Sequence, residues 1–209
     1  YSDYIGPGIY DASAGSGIVN YYSTDLPNND NYCLYWHGYS QYNTIGFDFS
    51  PDRDFTKLVA EGYAVDFIVR GNLAGIKFDL RFLDTKSTDP QDHPWRKGIT
   101  TDDTDVSWDR KWHHLNIPLT SLEEKGSWDN NTWYNPQGKF DWSAIDRFEI
   151  SIEDAGTIGR QIWFDNIHIT DLDTAIVRQY GEVGVEQIND QSALNLEVMP
   201  NPVTYSAKI

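Results

Sequence analysis

Apolar residues recur at every second position in short runs, and Gly, Pro, Asn and Asp separate the runs. This alternation is typical of β-strands that bury one face, and helical periodicity is nearly absent. Single helical turns are expected only at 119–125 and at 142–145, where Asp141 is a suitable N-cap. The pattern predicts an all-β fold, a two-sheet antiparallel β-sandwich of the jelly-roll type. Strands are predicted at 18–23, 32–37, 45–49, 62–70, 76–83, 112–119, 147–152 and 161–170.

The same alternation predicts which side chains face away from the core. Asp79 and Arg81 share the outward face of one predicted strand, and Arg147 and Glu149 share that of another. If the two strands are neighbours, they form a face of alternating carboxylate and guanidinium groups. Such a face is either a solvated surface with weak ion pairs or a platform for sugar hydroxyls, and the pattern leaves both interpretations open.

Aromatic residues make up 14% of the chain, and many fall in or near two long segments, 84–108 and 126–140, that predict functional or mobile loops. An exposed ring offers an apolar face to the C–H bonds of a pyranose, but rings can equally fill the ends of a sandwich. Trp112 and Trp163 lie within predicted strands and are expected to be structural. The rings that we predict to contact a sugar are Trp36, Tyr39, Trp95, Trp128, Trp133 and Tyr134.

Composition excludes several classes of protein. The 209 residues include 16 Lys and Arg against 32 Asp and Glu, a formal net charge of -16, which opposes binding to nucleic acid. No apolar run approaches the roughly 20 residues of a membrane span, and no segment resembles a signal peptide. The chain opens at Tyr1 without an initiator Met, so we expect a piece of a longer precursor. The single residue Cys33 excludes an internal disulfide.

Motifs that would indicate catalysis are absent from the sequence. It contains no Ser nucleophile elbow, no H-E-x-x-H and no Gly-rich phosphate loop. His113 and His114 are adjacent in a predicted strand and therefore point to opposite faces. Calcium is the one metal that the composition suggests, because Asp-rich loops suit a hard cation. Asp165 stands inside an otherwise apolar strand, where a carboxylate needs polar partners or a metal.

Six short motifs follow one another along the chain. They are Y-C-L-Y-W at 32–36, G-F-D-F-S at 46–50, D-F-T at 54–56, V-D-F-I-V-R-G at 65–71, K-W-H-H-L-N-I-P-L at 111–119 and I-W-F-D-N-I at 162–167. This series resembles the galactose-binding-like β-sandwich carbohydrate-binding modules, most closely the family 11 modules of β-glucanases and cellulases. The resemblance covers about residues 9 to 170, and W-F-D-N-I and W-x-x-L-x-I-P-L are its more specific parts.

The resemblance implies a non-catalytic module that binds β-1,4 or mixed-linked glucan in a cleft on one sheet. Asp79, Arg81, Arg147 and Glu149 would line that cleft. The resemblance also implies a structural Ca²⁺ ion. Asp165 would be a ligand of this ion, and Asp11 near the first strand would be its partner. The long segment 84–108, which contains Trp95, departs from the family pattern.

We predict a module at 1–170 and a linker or tail at 171–209. In this tail L-E-V-M-P-N-P at 196–202 resembles the start of a type IX secretion C-terminal sorting domain. The resemblance implies a secreted or cell-surface protein in which the module is covalently linked to a glycoside hydrolase. The expected ligands are β-glucan and related plant polysaccharides, including cellulose, xyloglucan and mannan. The alternatives are a small β-sandwich lyase or hydrolase, and a structural spacer that binds no sugar.

Overall fold

Twelve β-strands account for about half of the chain that the computed structural model describes, which comprises residues 8–15, 17–26 and 32–171. The predicted tail at 171–209, with its sorting-domain motif, lies outside these residues except for its first position. The strands are β1 (Ile9–Asp11), β2 (Ile18–Ser23), β3 (Cys33–His37), β4 (Thr44–Arg53), β5 (Ala64–Gly71), β6 (Phe78–Asp84), β7 (Arg96–Thr101), β8 (His113–Pro118), β9 (Glu123–Asp129), β10 (Thr132–Tyr134), β11 (Ile145–Ser151) and β12 (Ile162–Thr170).

The strands form two antiparallel sheets, which confirms the predicted β-sandwich. One sheet has seven strands in the order β1-β4-β11-β6-β7-β9-β10, and the other has five in the order β2-β3-β12-β5-β8. Most neighbours in a sheet are distant in sequence, so long connections cross between the sheets. The strand β11 lies between β4 and β6, which places the two strands with predicted polar faces side by side.

Alternate residues of both sheets form the core between them. Phe78 and Phe82 of β6 and Phe164 of β12 are among its largest fully buried side chains. The rings of Phe78 and Phe164 meet edge to face with centroids 5.4 Å apart, so aromatic contacts join the two sheets. Because every second residue of these strands points into this core, the alternation in the sequence predicts the strands of the sandwich centre well.

The irregular segments differ from the prediction. Only Leu119–Ser121 of the predicted turn at 119–125 is helical, a single 3₁₀ turn followed by β9. Residues 142–145 form no helix, although Asp141 Oδ1 accepts the Ser143 N–H as the start of a turn. Two described helical elements were not predicted. The α-helix α1 (Thr56–Ala60) begins after Asp54, whose Oδ1 accepts the Thr56 N–H, and Ala155–Thr157 form a 3₁₀ turn.

Candidate functional site

The outward side of the seven-stranded sheet is a polar face. Residues paired directly across antiparallel strands point to the same side, so the register defines which side chains share it. Arg81 of β6 is paired with Glu149 of β11, and Asp79 with Ser151. The polar face consists of Asp48, Asp79, Arg81, Arg96, Thr100, Arg147 and Glu149, and Glu153 reaches it from the loop after β11.

Ion pairs connect the centre of the polar face. Arg81 Nε donates to Glu149 Oε2 at 2.8 Å, and Arg81 Nη1 donates to Glu153 Oε1 at 2.5 Å. Arg147 donates to Asp48 Oδ1 at 2.5 Å and to Glu149 Oε1 at 3.1 Å. Although burial acts to lower it, these carboxylates hold the pKa of Arg81 above its ordinary value. The polar groups therefore have a fixed arrangement before any ligand binds.

The four predicted polar residues lie on one face, but only two of them are accessible. Asp79 and Arg147 are half-buried, and Asp79 Oδ1 accepts the Thr100 hydroxyl at 2.7 Å. Arg81 and Glu149 are only 6% and 4% exposed. This burial contradicts the prediction that Arg81 and Glu149 contact a ligand, because their polar atoms are already engaged beneath the surface. They support the face and do not form its surface.

One row of paired residues crosses the polar face and ends in aromatic side chains. Tyr10 of β1 is paired with Asp48 of β4, and the row continues through Arg147, Leu83 and Arg96. It ends at Gly126 of β9, over which the Trp133 ring lies. From β1 to β9 the row crosses five intervals between strands, about 24 Å at about 4.8 Å each, which is long enough for several pyranose rings.

The hairpin of β9 and β10 presents two tryptophan rings. Trp128 and Trp133 are directly paired across the hairpin and are 49% and 46% exposed. Asn130 and Asn131 both have positive φ, 47° and 59°, as a two-residue type I′ turn requires, which fixes this register. Trp128 and Trp133 are therefore accessible to a ligand, and their contact with a sugar stays a prediction. Their rings give the polar face an apolar end.

Three other predicted rings belong to the interior. Trp36, Tyr39 and Trp95 are 1%, 2% and 0% exposed, so the prediction that they stack on a sugar is wrong. Trp36 and Tyr39 pack against each other in the core with centroids 4.8 Å apart. Trp95 lies within the 84–108 segment, immediately before β7, and its Nε1 donates to Asp92. These rings fill the sandwich, which was the alternative that the sequence left open.

Tyr134 is half-buried on the other side of the hairpin. It is paired with the buried Ser127, one position from Trp133, and strand alternation therefore turns it away from the polar face. Its ring stacks on His93 with centroids 3.5 Å apart. Tyr134 thus anchors the hairpin and does not share the face on which the Trp133 ring lies.

Tyr10, Asp48 and Arg96 also lie on this face and were not predicted as site residues from the sequence. Tyr10 is 58% exposed in a three-residue strand, too short to give a visible alternation. Asp48 alternates with Phe47 and Phe49 in a predicted strand, so its outward direction was predictable. Arg96 opens a strand with one apolar residue, Ile99, inside a segment predicted as a loop.

The predicted calcium ligands lie in different sheets. Asp11 is an exposed residue of β1, and its Oδ1 accepts the Ser13 N–H. Asp165 is buried in β12, and its Oδ1 accepts the Asn166 N–H at 2.8 Å. Within residues 8–15, 17–26 and 32–171, no group of three or more His, Cys, Asp or Glu residues could hold a metal ion. The structural Ca²⁺ ion, with Asp11 and Asp165 as its ligands, therefore stays a prediction from the sequence resemblance.

The outward side of the five-stranded sheet carries a second aromatic cluster, which is covered. Trp112 and Trp163 are buried, as predicted for structural residues. The Arg70 guanidinium lies between them, 4.2 Å from the Trp163 ring centroid and 5.2 Å from that of Trp112. The Tyr35 ring stacks on the Trp163 ring, with the two centroids 4.7 Å apart. Because the faces of these rings are occupied, we place the candidate site on the opposite sheet.

A β-sandwich with a polar, aromatic-ended face is the architecture of a carbohydrate-binding module. Residues 20–171 match the family described as Carbohydrate binding domain 30, so the chain belongs to that family. The family is a non-catalytic carbohydrate-binding domain, and the enzyme alternative is therefore excluded for this module. The match to family 30 corrects the resemblance to family 11 that was expected from the sequence. No curated protein matches the chain.

Solved structures of such modules share the fold. A family 30 carbohydrate-binding module aligns with 76% of this chain and 75% of its own at 22% identity and a TM-score of 0.55. The family 30 module of a cellulosomal cellulase of Clostridium thermocellum aligns over 78% and 92% at 19% identity and 0.54. A family 11 module of Clostridium thermocellum, solved with a β-1,3-1,4-mixed-linked tetrasaccharide, aligns over 78% and 86% at 14% identity and 0.50.

Among the described residues no helix is long and apolar enough to cross a membrane.

Proposed function

We propose that the chain binds β-glucan, a β-1,4 or mixed-linked glucan chain, along the polar face of the seven-stranded sheet. One observation carries the proposal: a row of paired residues runs from Tyr10 through Asp48, Arg147 and Arg96 to the Trp133 ring. Rings at both ends supply apolar contact to pyranose faces, and the groups between them supply hydrogen bonds to hydroxyls. The row runs across the strands, so the sugar chain lies across them too.

The preformed ion pairs favour affinity because they reduce the entropy lost on binding. Arg147 is held by both Asp48 and Glu149, and the backbone on which these residues stand belongs to two adjacent strands, β4 and β11. Groups already held in position lose little freedom when a ligand arrives. The solved family 11 module with a mixed-linked tetrasaccharide supports a glucan as the ligand class.

We further propose that the module directs a covalently linked glycoside hydrolase to plant cell-wall polysaccharide outside the cell. The support is indirect, since one similar solved module belongs to a cellulosomal cellulase. Tethering would raise the local enzyme concentration at the polysaccharide without chemistry in this module. The sorting-domain motif and the structural Ca²⁺ ion stay predictions from the sequence resemblance.

Affinity electrophoresis with soluble polysaccharide tests the proposed ligand. We expect barley β-glucan in the gel to retard the wild-type chain, and Trp133→Ala to remove most of the retardation because the stacking surface is lost. The loss of one stacked ring should weaken binding about tenfold or more.

Tyr22→Ala is the matched control for this experiment. Tyr22 is as exposed as the hairpin tryptophans, but it lies on the outward side of β2 in the other sheet. This variant should migrate like the wild type. Equal retardation of Trp133→Ala and the wild type would place the ligand elsewhere. No retardation of the wild type by β-glucan, xyloglucan or mannan would favour the spacer alternative.

A further inference from the structure

Arg96 is the arginine of the polar face for which the described residues supply no hydrogen-bond partner. Its Nε atom is buried and unpartnered there, and its Cζ atom lies 5.9 Å from the centroid of the Trp133 ring. Arg81 and Arg147 differ, because each donates to two carboxylates. A buried donor without an acceptor is destabilising, so this arrangement needs an explanation.

The neighbouring carboxylates are already occupied. Glu149 accepts from both Arg81 and Arg147, and Glu153 accepts from Arg81 and from the Ser151 hydroxyl. Burial above all, with repulsion from Arg81 in second place, lowers the pKa of Arg96 to about 10. Arg96 thus remains a cation at neutral pH, and the part of the chain that the structure describes offers no acceptor to its Nε–H.

The position beside Trp133 relates these donors to a stacked ligand. Gly126, the residue paired with Arg96, has no side chain, and an added Cβ would lie 2.9 Å from Trp133 Cζ2. The glycine therefore lets the Trp133 ring lie beside the guanidinium. A pyranose stacked on that ring would direct its equatorial hydroxyls to the side, where Arg96 can donate to them.

Charge favours a neutral sugar at this position. The charges of Arg81, Arg96 and Arg147 are balanced by those of the three carboxylates that the other two arginines contact. Asp79 adds a further negative charge at the edge of the face. An anionic sugar would add another without a matching cation, whereas neutral hydroxyls satisfy the Arg96 donors without changing the balance.

We infer that Arg96 is a specificity-determining residue of the proposed site, donating hydrogen bonds to hydroxyls of a neutral pyranose stacked on Trp133. The inference rests on the proposed function. It adds the role of Arg96 as a hydrogen-bond donor and the requirement that the sugar be uncharged. A donor of fixed planar geometry is needed, so lysine is a poor substitute for arginine here.

Isothermal titration calorimetry with cellohexaose, and with cellohexaose oxidised to uronic acid at C6, tests the inference. We expect the wild type to bind the neutral oligosaccharide more tightly. Arg96→Gln should weaken that binding about tenfold or more, and Arg96→Lys should weaken it by less. Lys57→Gln, on the exposed side of α1, is the control and should bind as the wild type does.

A second readout separates ligand contact from a structural effect. In a ¹H–¹⁵N spectrum the Arg96 Nε–H signal, assigned by its disappearance in Arg96→Gln, should shift on saturation with cellohexaose. Unchanged affinity in Arg96→Gln, or an unshifted signal while Trp133→Ala loses binding, would refute the role of Arg96 but leave the proposed function intact. Tighter binding of the oxidised chain by the wild type would refute the neutral-sugar inference. Absence of binding to both chains would refute the proposed function itself.

Discussion

The position of a side chain within the alternation of its strand decides whether it can reach a ligand. Trp133 and Tyr134 are adjacent, yet one faces solvent and the other packs on His93, because adjacent strand residues point to opposite sides. The sequence gives both aromatic residues but not the direction of either ring, because the segment that forms β10 was predicted as a loop. Exposure of an individual aromatic residue was therefore unpredictable in this segment, although the residue types were informative.

Asp84, at the end of β6, provides a test of a buried carboxyl. Its oxygens accept the backbone N–H groups of Trp95 and Asp141 at 2.6 and 2.8 Å. Burial, with repulsion from Asp92 and Asp141, nevertheless raises its pKa to about 7. The folded state thus binds the Asp84 proton more tightly than the unfolded chain does. The Asp84 contribution to stability is fully present below about pH 4 and is lost as pH rises to about 7.

We therefore expect the free energy of unfolding of Asp84→Asn to fall less between pH 4 and pH 7 than that of the wild type. The asparagine leaves one backbone N–H poorly paired and lowers stability at every pH, so the slope, and not the level, is diagnostic. The difference across this interval should be on the order of 3 kcal/mol, from the size of the shift. Urea unfolding at several pH values measures it. Asp54→Asn should retain the wild-type slope, since the pKa of Asp54 is lowered. Parallel curves for wild type and Asp84→Asn would contradict the shifted pKa.

At the scale of elements, predictability follows the burial of each strand. The strands β5, β6, β11 and β12 lie inside their sheets, and their apolar alternation predicted them from sequence. The strands β7, β9 and β10 are at or near an edge and carry mostly polar residues, so periodicity does not distinguish them from loops. The polar face was predictable where it lies on β6 and β11. The part of the polar face that lies on β7 and on the hairpin of β9 and β10 was not predictable as a surface. The sequence shows only individual residues there, such as Arg96 and the two tryptophans.

The pairing of β6 with β11 depends on a buried ion pair that can be tested by mutation. Arg81 and Glu149 are directly opposite in the register and buried. Removal of Arg81 in Arg81→Met leaves Glu149 with Arg147 alone, so we expect a loss of about 3 kcal/mol in the free energy of unfolding. The double variant Arg81→Met with Glu149→Leu should regain part of this loss, because no uncompensated carboxylate remains.

Lys77→Met is the control for the ion-pair measurement. Lys77 lies just before β6 and pairs with Asp154 at 3.6 Å, but both side chains are 45% exposed. Screening by solvent leaves such a pair worth less than about 1 kcal/mol. If Arg81→Met were as mild as Lys77→Met in urea unfolding, the Arg81–Glu149 pair would not be the structural centre of the polar face.

At the scale of the whole molecule, acidity and ligand binding are separate properties. The formal net charge of -16 belongs to the whole chain, whereas the three guanidinium groups of the polar face are balanced by the carboxylates around them. The net charge opposes polyanions at long range and has little effect on a neutral chain. The sequence established the sign of the total charge. The balance of charges on the polar face could be recognised only from the register of β4, β11, β6 and β7 in the structure.

This separation predicts how salt affects binding. A neutral glucan contributes no charge to the complex, so we expect the dissociation constant of the wild-type chain for cellohexaose to change less than about twofold between 50 and 500 mM NaCl, a range over which the screening length falls several-fold. Calorimetry at each salt concentration measures it, with the C6-oxidised chain as the comparison. Binding of the oxidised chain should strengthen as salt screens its repulsion by the acidic protein. If affinity for the neutral chain fell steeply with salt, ligand binding would depend on unbalanced charge, and the proposed balance between the three guanidinium groups and the carboxylates Asp48, Glu149 and Glu153 would be refuted.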